Sequence, residues 1–104
     1  MTKDEQAALE ALSDLADETA DLVTPDEPFG SLPQETLQQA ATTSRQIEKQ
    51  AREFAATAEE HVREWLEQAA TAAAEAATEL ERGECDTTAA LLRGAAEAIA
   101  EALL

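Results

Sequence analysis

The sequence predicts an all-α chain, elongated and built of three helices, and three observations carry that expectation. Between Pro33 and Gly83 there is no glycine or proline, and apolar side chains recur at helical spacing throughout. Alanine, glutamate, glutamine, leucine and arginine, all strong helix formers, fill most positions. All three prolines fall between Thr24 and Pro33, in the one stretch that reads as a long loop. With 104 residues and no tandem unit, a single helical domain is expected.

The first helix is expected over about residues 3–23. Thr2 and Glu5 have the spacing of a capping box, in which the Thr2 hydroxyl accepts from the Glu5 amide. Leu9, Leu12, Leu15, Ala16, Leu22 and Val23 form its apolar stripe, with Asp14, Asp17, Glu18 and Asp21 turned away from it. The linker, residues 24–32, ends the helix, and its Phe29 and Leu32 are expected to cover an open end of the helix pair.

The long helix is expected over about residues 33–82, roughly 70 Å at ~1.5 Å per residue. Ser31 and Gln34 have capping-box spacing at its start, and Gly83 supplies a C-terminal cap after Arg82. Its apolar positions repeat at eleven residues. Ile47, Ala58, Ala69 and Leu80 make one row, Ala40, Ala51, Val62 and Ala73 a second, and Phe54, Trp65 and Ala76 a third. Eleven residues over three turns is ~3.67 per turn, so this stripe stays nearly straight along the helix.

After a turn at residues 83–86, with Asp86 as the expected cap, a third helix is expected over about residues 87–103. Ala90, Gly94, Ala98 and Ala102 are spaced by four and leave one side almost bare. A mid-helix glycine costs ~1 kcal/mol against alanine, so Gly94 implies a close backbone approach, with the stretch from Ala69 to Ala77 as its partner. Leu91, Leu92, Ile99 and Leu103 would flank that contact.

Both short helices can fold back along the long one as antiparallel hairpins. A two-helix layer leaves apolar surface wet, so a second copy is expected to complete a four-helix bundle as a dimer. The interface is then expected at Ile47, Phe54, Val62, Trp65, Leu66, Ala69, Ala73, Leu80, Gly94 and Ile99. The alternative is a break near Thr57 to His61 that closes a monomeric four-helix bundle; the absence of glycine and proline there favours the continuous helix.

Charge narrows the partners. The formal charge is −16, and the acid excess is spread over every segment, as in halophilic proteins. Direct binding to nucleic acid or anionic lipid is not expected. No signal peptide and no membrane span are visible, which makes the cytoplasm, or a virion, the expected location. One cysteine allows no internal disulfide.

No catalytic, cofactor or metal site is expected. Ala58 stands where a ferritin-like Glu-x-x-His element ending at His61 would place its glutamate, so His61 reads as a core-edge residue beside Trp65. Glu84 and Asp86 flank Cys85 and oppose thiolate formation. Arg45, Lys49 and Arg52 form the one basic cluster, with Glu48–Arg52 and Lys49–Glu53 as i,i+4 pairs. The function expected is a non-enzymatic assembly or adaptor module, acting through self-association and contact with another protein. Two alternatives are an acidic decoy for a nucleic-acid-binding protein and a coat for a hydrophobic inclusion, the latter similar to phasins in its alanine-rich amphipathic helices.

Overall fold

A computed structural model describes residues 2–24 and 32–104. Among them are four helices and no strand: α1 (Lys3–Leu22), α2 (Gln34–Thr57), α3 (Glu60–Glu81) and α4 (Thr88–Ala102). The expected count of three is therefore corrected. What reads as one long helix is two, α2 and α3, joined at Ala58 and Glu59.

Both joining residues are extended, with φ −84° and ψ 158° at Ala58 and φ −64° and ψ 157° at Glu59. Neither angle pair needs glycine. Unwinding here gives up a few helical hydrogen bonds, each worth ~0.5–1.5 kcal/mol net. Folding back removes Ile47, Leu66, Leu92 and Ile99 completely from water, at ~1.5–3 kcal/mol for each large side chain. Burial outweighs local propensity, and the chain closes on itself. The bundle measures 42 × 20 × 18 Å with a radius of gyration of 13.5 Å, too short to hold a helix of roughly 70 Å.

The helices form a closed ring in chain order. α2 packs on α3, α3 on α4 and α4 on α1, while α1 and α2 meet along the thinnest seam. At their centre Leu9, Leu12, Ile47, Leu66, Leu80, Leu92 and Ile99 are joined by many alanines, whose short side chains allow close helix packing. Ser44 lies in the same core, fully buried, and its hydroxyl has no hydrogen-bond partner.

The helix ends follow local chemistry. Thr2 Oγ1 accepts from the Glu5 amide at 3.1 Å, and the hydroxyl itself donates to the Glu5 carboxylate at 3.2 Å. Gly83 adopts φ +78°. Its amide donates to Leu80 O and the Glu84 amide to Glu79 O, at 3.0 and 2.8 Å, the paired bonds of a Schellman cap. α4 starts from Thr87 without a side-chain cap, so Asp86 does not have its expected role. Phe29 and Ser31 lie outside the described residues; Pro33 precedes α2, and Leu32 is half-buried against the core.

Candidate functional site

The expected interface residues are mostly interior. Ile47, Leu66, Ala69, Ala73 and Ile99 are fully buried within one chain, and Val62 and Leu80 nearly so. Phe54 and Trp65 are half-buried at the edges of the bundle. The chain's own α1 and α4 thus cover the apolar face of α2 and α3 that a second subunit was expected to cover. Gly94 is exposed, and a Cβ built there meets nothing within 4 Å. The expected close backbone approach is absent, because the buried side of α4 is the one carrying Leu92, Ala95 and Ile99. His61 is exposed as well, not packed at the core edge.

What remains outside is acidic. Glu10, Asp14, Asp17 and Asp21 are exposed on α1 at spacings of three and four, which places them in one outward row. Glu60, Glu64 and Glu67 do the same on α3, and Glu75 follows eight residues further on; Glu64, Glu67 and Glu75 border a shallow depression with Gln68 and Thr71. Since α1 and α3 are diagonal in the ring, the two rows face opposite sides.

Cations are largely consumed by the chain itself. Arg45 donates to Glu81 at 2.6 Å, to Glu48 at 3.2 Å and to Thr78 Oγ1 at 3.3 Å. Arg52 joins Glu48 at 3.1 Å, the expected i,i+4 pair, and Arg93 joins Asp21 at 3.0 Å. The Lys49–Glu53 pair does not form. The hydrogen bond from Arg45 holds the Glu81 carboxyl below its usual range, and the same bond, with that to Glu48, raises the guanidinium. Among the described carboxylates only Asp21, Glu48 and Glu81 take part in an ion pair.

Arg63 is used differently. Its Nε donates to Ala55 O at 3.1 Å and its Nη2 to Ala58 O at 3.0 Å. Both carbonyls lie at the C-terminal end of α2, where Ala55 O also accepts from the Ala58 amide at 3.3 Å, and a cation there meets the negative end of the helix dipole. Glu59 and Glu60 stand at the positive N-terminal end of α3. The sequence reading missed this signal: an acidic pair followed by an arginine, sitting inside an otherwise uniform helical pattern.

At the same end of the bundle, a cleft of about 540 Å³ lies between the start of α1, the α2–α3 turn and the end of α4. Leu9, Phe54, Val62, Leu66 and Leu103 give it an apolar lining, and Glu5 and Glu59 stand among its polar residues. No group of three or more His, Cys, Asp or Glu side chains among the described residues could hold a metal ion. No helix there is long and apolar enough to cross a membrane. Comparison with protein-family models, curated proteins and solved structures finds no match.

Proposed function

We propose that this protein is a non-enzymatic protein–protein contact module that offers a folded acidic surface to a basic partner protein. The observation that carries this reading is the division of the charges. Arg45, Arg52 and Arg93 are spent on internal pairs and Arg63 on backbone carbonyls, while most carboxylates remain exposed and unpaired. A surface of one sign steers an oppositely charged partner and sets its on-rate, which favours adaptor or decoy behaviour toward a nucleic-acid-binding protein. Large apolar side chains are nearly absent from the described surface, with Leu22 and Leu104 the two exceptions. That favours a charge-led contact over coating of a hydrophobic inclusion.

The test is retention of proteins from the native source on immobilised chain at low salt. Basic nucleic-acid-binding proteins that elute with salt and are displaced by duplex DNA support the reading. Neutralising Glu64, Glu67 and Glu75 to glutamine should weaken that retention without unfolding the chain. Partners held unchanged at high salt and indifferent to duplex would overturn it.

A further inference from the structure

One series of buried positions on α2 and α3 keeps its rhythm straight through the turn that separates them, with buried Ala41, Ala70 and Ala76 beside it. Ala40, Ser44, Ile47, Ala51 and Ala55 are buried on α2, and Val62, Leu66, Ala69, Ala73, Ala77 and Leu80 on α3. With half-buried Ala58 between them, every step in this series is three or four residues. A turn of two extended residues resets the rotation of the following helix, so a hairpin has no use for such continuity. One unbroken helix requires it.

From this we infer that the chain has a second assembled state, in which Ala58 and Glu59 become helical and two copies exchange halves. In that state α2 and α3 form one helix from Gln34 to Glu81, roughly 72 Å long at ~1.5 Å per residue. The α1–α2 half of each copy packs on the α3–α4 half of its partner. The α2–α3 and α1–α4 contacts that join the halves of the monomer are then made between chains by the same side chains, so the exposed core face fits a second copy and nothing else as closely. Short hinges of ordinary helix-forming residues favour exchange of this kind. What the exchanged state loses is specific to the turn: the bonds from Arg63 to Ala55 O and Ala58 O, since a continuous helix returns those carbonyls to its own amides.

The turn itself supplies the discriminating variant. Glu59 has φ −64°, and Ala58 before it has φ −84° and ψ 158°, the conformations that proline and its preceding residue adopt. Glu59→Pro therefore fits the monomer and breaks the continuous helix. The experiment is refolding from denaturant at micromolar and millimolar chain, followed by light scattering after size exclusion. The native chain should give a dimer whose fraction rises with protein concentration and with salt, and small-angle scattering of that dimer should show a dimension well beyond the 42 Å of the monomer. Glu59→Pro should abolish the dimer while circular dichroism shows a helical monomer. Arg63→Gln should raise the dimer-to-monomer ratio, by about tenfold or more for the loss of the two charge-assisted bonds, which keeps the test decisive should the proline variant not fold. A native chain that is monomeric at every refolding concentration overturns the inference. So does a dimer that Glu59→Pro and Arg63→Gln leave unchanged.

Discussion

The turn between α2 and α3 and the turn between α3 and α4 both reverse the chain, yet they are held by different chemistry. At the second, Gly83 enters the left-handed region and two backbone bonds close the helix end. The Glu79 carboxylate then reaches across to the Thr87 and Thr88 hydroxyls, at 2.8 and 2.9 Å, and fixes the start of α4. At the first there is no glycine, no left-handed residue and no capping hydroxyl. Arg63, one turn into the next helix, holds the carbonyls instead. A turn built on backbone geometry has one conformation open to it, whereas a turn built on a side-chain anchor and on burial can be undone by removing either.

The largest change should follow Glu79→Ala. It removes the carboxylate from the Thr87 hydroxyl and leaves the fully buried Thr88 hydroxyl with only the long contact to Glu84 O at 3.5 Å, a loss of about 2 kcal/mol, read as a lower urea midpoint. Arg63→Ala should cost somewhat less, about 1.5 kcal/mol, and hydrogen exchange should localise the loss to the last turn of α2. Gly83→Ala forces a Cβ into φ +78° and should cost about 1 kcal/mol. Gly94→Ala should act in the opposite direction, raising stability by about 0.5–1 kcal/mol, because its site is helical and open. Equal effects at the two glycines would remove the distinction between a required and a dispensable one.

The smallest effect belongs to Arg45 and Glu81, which tie α2 to the last residue of α3. The folded carboxyl of Glu81 lies below its usual range, so this contribution is present above the unfolded carboxylate value and is lost as pH falls through the lower, folded one. The stability difference between the native chain and Arg45→Gln should therefore shrink in acid. Both groups are solvent-exposed, so added salt should shrink it too.

The features legible in the sequence are those written within a few residues of where they act. Thr2 and Glu5 mark the start of α1, Gly83 the end of α3, and the stripe of Leu9, Leu12 and Ala16 the buried side of α1. The break at Ala58 and Glu59 was hidden because its causes are distant: burial of Ile47 and Leu66 against α1 and α4, and an anchor that arrives with Arg63. Unbroken periodicity across the break also disguised it, since the same pattern serves a continuous helix. The proposed interface positions were legible as an apolar face but not in what covers them. Periodicity identifies which side of a helix leaves water; it does not say whether the covering surface comes from the same chain.

Trp65 gives this division of the molecule an optical consequence. It is the one tryptophan, in a chain without tyrosine, and it lies beside Gly94, Ala98 and Glu101 where α3 meets α4. Emission excited at the red edge of indole absorption therefore comes from that half alone, and the α1–α2 half is dark. Circular dichroism weighs every helix. Melting curves followed by the two signals superimpose if the bundle comes apart in one step, and they separate if the dark half frays first along the thin seam between α1 and α2.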